Sequence, residues 1–247
     1  TIDEIGHTIH AFAEAALRTK KAGYDGVELH GGTGYLLAEF VSPRTNRRTD
    51  SYGGSLGNRM KFPLEVLEAV RKKVGDGYPV GYRFLADELL PDGLKLEETV
   101  VFARELEKRD IAYISVMAGT YESFRVPPYV EMEKKEAYMS EFAQSIKQAV
   151  PGTPIITAGR IQTPEKAERI LKEGRADLIG LARVLLADPL WPKKAQGVIN
   201  TPIVPCNPSC SLCMQRVMKG KRAFCSQWDK EQQKVFLKRI GEAPAGS

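Results

Sequence analysis

No apolar run in these 247 residues approaches the ~18 that a membrane-spanning helix needs. Nor does the chain open on a basic segment followed by an apolar core and a small-residue cleavage site, so it reads as cytoplasmic with no membrane partner. Charge of one sign is missing too: 36 Lys and Arg face 31 Asp and Glu, and the short basic runs RTNRR (44–48) and KGKR (219–222) suit a solvated surface better than a nucleic-acid groove. No low-complexity linker interrupts the chain. Histidine is scarce at 3, and the 4 cysteines are not spread as a disulfide framework would be. Three of them fall within 206–213 and the fourth is Cys225, a clustering that favours metal over disulfides in a reducing compartment.

What is present is an α/β alternation. Hydrophobic residues make up 43% of the chain, enough for one α/β domain or two small ones. Thr1 and Glu4 form a capping-box pattern, and Ile2, Ile5, Ile9, Phe12, Ala13 and Ala16 follow at helical spacing. Apolar strand-like runs come next: DGVELH (25–30), PVGYRF (79–84), IAYISV (111–116), PIITAG (154–159) and DLIGLA (177–182). Their lack of polar alternation predicts a parallel sheet covered on both faces. Between them, Phe62, Val66, Ala69 and Val70 share a helical face, as do Phe142, Ile146, Ala149 and Val150. TPEKAERILKEG carries Thr163 as N-cap, Pro164 at the first helical position and Gly174 past the end. Periodicity fades after Gly197, which divides the chain at 1–197 and 198–247.

The residues able to do chemistry fall at the C-terminal ends of the strands: His30, Arg83, Gly119, Gly159-Arg160 and Ala182-Arg183. That edge carries the active site of parallel α/β folds, and two consecutive strands ending in Gly-Arg and Ala-Arg suit a phosphate site. A strand-end Gly is otherwise a turn, and an Arg a surface charge. VELHGGTGYLL (27–37) is a poor dinucleotide fingerprint, because it is G-G-x-G and places bulky His30 and Tyr35 where a backbone must approach pyrophosphate. A histidine and a phenol on one loop favour acid/base chemistry instead, although Tyr35 is equally readable as a packed aromatic at a helix start.

Four stretches together resemble a known family. AGYDGVELHGGTGYLLAEFVSPRTNRRTDSYGGSLGNR (22–59), AGTYES (118–123), PIITAGRIQTPEKAERIL (154–171) and ADLIGLARVLLADP (176–189) are similar to the old yellow enzyme family of FMN-dependent ene-reductases. The nearest branch is the iron–sulfur flavoenzymes similar to 2,4-dienoyl-CoA reductase. The resemblance implies a (β/α)8 TIM barrel of which strands four to eight are represented here. On that reading 1–197 is the C-terminal portion of an FMN-binding barrel and 198–247 a cluster-binding segment with a tail. A start at Thr1 on a helix cap, and unprotected edges at DGVELH and DLIGLA, lead to the expectation of a homo-oligomer or a complementing N-terminal chain.

The resemblance also implies roles. Arg83 corresponds to the arginine beside the pyrimidine end of the flavin, and Gly159-Arg160 with Ala182-Arg183 to its phosphate loops. His30 corresponds to the first member of a pair that holds the substrate's oxygen; the second, usually His or Asn, is Thr33 here. Tyr35 corresponds to the proton donor. The cluster motif of the branch is C-x2-C-x3-C-x11-C, whereas Cys206, Cys210, Cys213 and Cys225 read C-x3-C-x2-C-x11-C, with Ser209 at the second position. A [4Fe–4S] cluster is the first reading of the four, zinc the second, and inert thiols the third. The implied activity is reduction of an activated C=C bond in a small enoyl or enone substrate, with NADH or NADPH as electron donor. Two other readings stay open: a non-catalytic partial barrel serving as a structural or electron-transfer subunit, and a phosphosugar-type barrel using the same loops without flavin.

Overall fold

The computed structural model describes residues 1–207 and 209–242. Pro208 and residues 243–247 of the expected 198–247 segment lie outside the described residues. The chain forms two compact units, one of residues 1–159 with 168–180, the other of 160–167 with 181–247.

In the first unit, α1 (Ile2–Lys21) starts as its sequence demands: the Thr1 hydroxyl accepts from the Glu4 N–H, and the Glu4 carboxylate returns the bond. Ile5, Ala13 and Ala16 are buried along it, while Ile2 at the open end of the stripe stays exposed. Strands β1 (Val27–Gly31), β2 (Val80–Leu85), β3 (Tyr113–Met117), β4 (Ile155–Thr157) and β5 (Leu178–Ile179) make one parallel sheet in the order β1-β2-β3-β4-β5. Each expected strand is present; β1, β2 and β3 end one residue later than their apolar runs, and β4 and β5 are cut to three and two residues. Helices α2 (Leu36–Val41), α3 (Leu56–Val74), α4 (Leu96–Glu107), α5 (Pro127–Glu133), α6 (Ser140–Ala149) and α7 (Pro164–Lys172) follow the strands in the chain, as a βα repeat requires. The Thr163 cap on α7 forms, its hydroxyl accepting from the Lys166 N–H at 3.3 Å.

The core lies on one face of this sheet. Phe62, Val66, Leu67 and Val70 of α3 pack with Tyr82, Phe84, Ile114 and Val116 of the strands and Phe102 of α4. Phe84 stacks on Phe102 at 5.7 Å between ring centroids, and Tyr82 meets Phe102 edge-on at 5.6 Å. The expectation of two covered faces holds poorly at β1: Leu29 and Gly31 are buried, but Glu28 and His30 between them are exposed. This alternation separates a packed face from one that carries chemistry.

Two buried ionic groups fix the loops above the sheet. Arg59 is 5% exposed and bonds the Val41 and Gly54 carbonyls and the Glu98 carboxylate. Glu88 is 2% exposed and accepts from the Ser42 hydroxyl at 2.8 Å and the Leu94 N–H at 2.6 Å; burial holds its carboxyl above the usual range.

In the second unit, α8 (Arg183–Ala187), α9 (Trp191–Ala195), α10 (Leu212–Met218) and α11 (Lys230–Arg239) are short. They are tied by a buried pair, Asp188 with Lys194 at 2.7 Å, in which Asp188 also accepts the Leu190 and Val204 N–H groups. The indole of Trp228 donates to the Leu186 carbonyl at 2.7 Å, and its ring meets Phe236 edge-on.

A Cβ on Gly31 would fall on the Tyr82 ring, which is fully buried and has nowhere to go. Gly31→Ala should therefore cost about 1–3 kcal/mol of overpacking, a drop of several degrees in the thermal midpoint. Calorimetry that shows an unchanged midpoint would deny the contact.

Candidate active site

The parallel register brings the ends of β1, β2 and β3 level: His30 pairs with Arg83, and Arg83 with Ser115. Residues in register on adjacent strands point to the same face, so imidazole, guanidinium and hydroxyl share one side of the sheet. Arg83 donates to the Ser115 Oγ at 2.7 Å. Burial, and then the positive charge of Arg83, hold the His30 pKa below its ordinary value, which makes His30 a neutral imidazole near pH 7. One strand position earlier, burial and the Glu28 carboxylate push the Tyr113 phenol up to about 12.

The turn after β1 is shaped by close approach. A Cβ on Gly32 would lie 2.5 Å from the Met117 Sδ, so any larger residue there would have to displace the methionine side chain. Thr33 adopts a left-handed backbone, φ 59°, its hydroxyl bonded to the Met117 Sδ at 3.3 Å, and its backbone bridges that of Thr120. The chain then enters α2 with Tyr35 as its N-cap, 46% exposed. The Tyr35 ring stands 4.8 Å from that of His30, and its hydroxyl lies 2.8 Å from the Tyr121 hydroxyl. That hydrogen bond holds the Tyr35 phenol above its ordinary pKa, so the proton stays on at neutral pH.

His30, Thr33, Tyr35 and Arg83, expected from sequence, thus gather on one edge. Three residues that sequence reasoning did not single out join them: Ser115, Met117 and Tyr121. Another is Arg44, whose guanidinium forks onto Glu122, next to Tyr121, and also reaches Asp92. At the end of β4, Gly159 has φ 96° and a Cβ there would sit 2.9 Å from the Tyr138 ring; Arg160 after it has φ 54°. These positive φ values turn the chain sharply at the strand end.

In the second unit Ala182 is the N-cap of α8 and Arg183 its first residue. Arg183 lines one pocket with Cys206, Cys210, Cys213 and Cys225, all four of them free thiols. Burial pushes the Cys206 thiol up against the opposing pull of Arg183, whereas a hydrogen bond from Ser226, at 3.1 Å, draws Cys210 down. The donor set is the one a [4Fe–4S] cluster requires. Among the described residues, however, no group of three or more His, Cys, Asp or Glu side chains is arranged to hold a metal ion. For a flavin the fit rests on donor chemistry: the half-buried Arg83 guanidinium of β2 in the first unit, and the Arg160 and Arg183 guanidinium groups in the second. No helix of the described residues is long and apolar enough to cross a membrane.

The family described as NADH:flavin oxidoreductase / NADH oxidase matches residues 1–201. The chain is 40% identical over 260 residues to an NADH oxidase of Thermoanaerobacter brockii, a match that covers 100% of this chain and 40% of that protein. Among solved structures it is similar to a 2-naphthoyl-CoA reductase in complex with 2-naphthoyl-CoA, with TM-score 0.84 and 34% identity over 93% of this chain and 36% of that one. It is also similar to morphinone reductase in complex with tetrahydroNAD, with TM-score 0.65 and 29% identity over 85% and 53% of the two chains. The chain therefore spans between about a third and a half of the length of these relatives.

Removing the Arg83 charge should raise the His30 pKa toward that of an exposed imidazole, burial accounting for what remains of the depression. NMR titration of Arg83→Gln, in a chain with only 3 histidines, reads this directly. A midpoint equal to the wild type would remove Arg83 from the site's electrostatics.

Proposed function

Because the chain belongs to the NADH:flavin oxidoreductase / NADH oxidase family, we propose that the protein is an FMN-dependent oxidoreductase that reduces activated C=C bonds with electrons from NADH or NADPH. The observation that carries this reading is the Tyr35 phenol beside a neutral His30, with Arg83 level with that imidazole at the strand ends.

Arg83 would hold the pyrimidine end of the flavin, where a fixed cation stabilises the charge that reduction builds. Gly159-Arg160 and Ala182-Arg183 would hold its phosphate through guanidinium and backbone N–H groups. When bound, reduced FMN supplies a hydride to the β-carbon of the alkene. Everything else is the work of the side chains. His30 donates a hydrogen bond to the substrate's carbonyl oxygen, with the Thr33 hydroxyl as its partner in the pair, and so draws electron density from the alkene. Tyr35 holds its proton at neutral pH and delivers it from Oη to the α-carbon.

In this proposal 1–197 is the flavin-binding portion of a barrel, and Cys206, Cys210, Cys213 and Cys225 of 198–247 would hold an iron–sulfur cluster, which would supply electron-transfer chemistry. Zinc is the second reading of the same thiols. A homo-oligomer or a complementing chain belongs to the proposal as well. The reading of an electron-transfer subunit, with its chemistry on a partner, draws its support from the four thiols lining one pocket. An absorption spectrum separates the two: flavin bands near ~450 nm with turnover of an enone support the enzyme, and a broad brown shoulder without flavin supports the subunit.

Tyr35→Phe should leave flavin reduction by NAD(P)H intact but slow reoxidation by an enone by roughly 10²–10⁴, as expected for loss of a general acid. Equal losses in the two half-reactions, followed by stopped flow, would reassign Tyr35 to packing. For the thiols, anaerobic reconstitution of the full chain with ferrous iron and sulfide should load about 4 iron atoms per chain, and Cys210→Ser should lower that content. Retention of zinc in place of iron would select the second reading.

A further inference from the structure

We propose that Tyr121 is a proton relay for this site, its hydroxyl returning a proton to Tyr35 after Tyr35 has protonated the substrate carbon. The inference rests on the ene-reductase reading above, and it begins from a contact that reading does not use. The two phenol oxygens lie 2.8 Å apart, a distance at which a proton passes from one to the other without intervening water. Their rings meet edge-on at 5.8 Å.

The pair is built rather than accidental, for three separate devices hold residue 121 against residue 35. An isolated parallel bridge joins Thr33, beyond β1, to Thr120, beyond β3, so the backbones before the two tyrosines run side by side. Arg44, just beyond α2, forks onto both carboxylate oxygens of Glu122 and fixes the backbone after Tyr121. The Tyr121 ring in turn packs against Phe124 at 5.7 Å between centroids.

Both residues are open to solvent, Tyr121 at 59% and Tyr35 at 46%, so water can reprotonate the pair, and the Tyr35 ring lies beside that of His30. His30 is a poor source of the returning proton, since burial and Arg83 keep it neutral.

The proton count closes. The Tyr35 O–H bond breaks as a C–H bond forms at the α-carbon, the electrons coming from the C=C pair displaced by the hydride of the reduced flavin. Tyr35 is left as phenolate. The Tyr121 O–H bond then breaks and a new O–H forms on Tyr35, after which a proton from water restores Tyr121. Each turnover consumes one hydride and one solvent proton.

The test is the substitution Tyr121→Phe in the FMN-loaded protein, with 2-cyclohexenone as the probe. Reoxidation of reduced flavin should slow by at least about tenfold, a part of the factor that general acids supply. The wild-type rate plotted against the fraction of D2O should be curved, with more than one proton in transfer, and the variant's plot straight. Removal of the Tyr121 hydroxyl should also lower the Tyr35 titration midpoint, followed by NMR of ζ-13C tyrosine and assigned with Tyr35→Phe; mere packing would leave both readouts where they were. Normal turnover and an unchanged plot in the variant would overturn the relay alone. A wild-type protein that binds FMN but fails to reduce the enone would overturn the ene-reductase reading, and the relay with it.

Discussion

The approach of the first strand to its neighbours governs the rest of the catalytic edge. Gly31 passes over the buried Tyr82 ring and Gly32 over Met117, each so near that an added Cβ would have to displace its neighbour. Without that approach the loop after β1 would ride higher, and Thr33 would not reach Met117 or pair with Thr120. Tyr35 takes its place from the end of this turn. The glycines that look like a phosphate cradle are thus glycines for packing, and the bulky His30 and Tyr35 stand on either side of them.

Electrostatics then sorts the neighbouring groups by protonation state. Arg83 is a fixed cation half-withdrawn from water, and its charge adds to burial in keeping His30 neutral. A neutral imidazole donates a hydrogen bond without bringing a second cation beside the first. Tyr35 is moved in the opposite direction, toward holding its proton, by the Tyr121 hydroxyl. A site that must polarise an oxygen and protonate a carbon at one pH needs such a division between a neutral donor and a retained acid.

Much of this was legible in the sequence because it is local. The capping box at Thr1, the five strands marked by apolar runs, and the place of His30 near the end of β1 all follow from spacing within a few residues, whereas Arg83 falls inside β2 and Gly159 just beyond β4. The exposure of Glu28 and His30 was less so, since an apolar run of two or three residues hides which face of a strand is packed. What stayed hidden is what joins distant segments. Tyr35 and Tyr121 are separated by 86 positions and Arg44 and Glu122 by 78, and no period in the sequence encodes such a pairing. AGTYES marked the segment but not which of its residues would face Tyr35.

The cysteine segment shows a different case, a local irregularity of spacing met by a local turn. Relative to the branch it resembles, the second thiol is displaced by one residue, from position 209 to Cys210. The chain absorbs the displacement in a turn: the Cys210 N–H returns to the Asn207 carbonyl at 3.1 Å, while the Asn207 side chain accepts from the Ser209 N–H at 3.0 Å. Cys210 still lines the pocket of the other three, where the Ser226 hydroxyl meets its sulfur. Burial, and after it the neighbouring cysteines, push the Cys206 thiol up. The Arg183 guanidinium on the same pocket opposes that shift. A residue read from sequence as a phosphate ligand therefore has a second electrostatic role in the structure, and any anion held near it competes with the thiolates for the same positive charge.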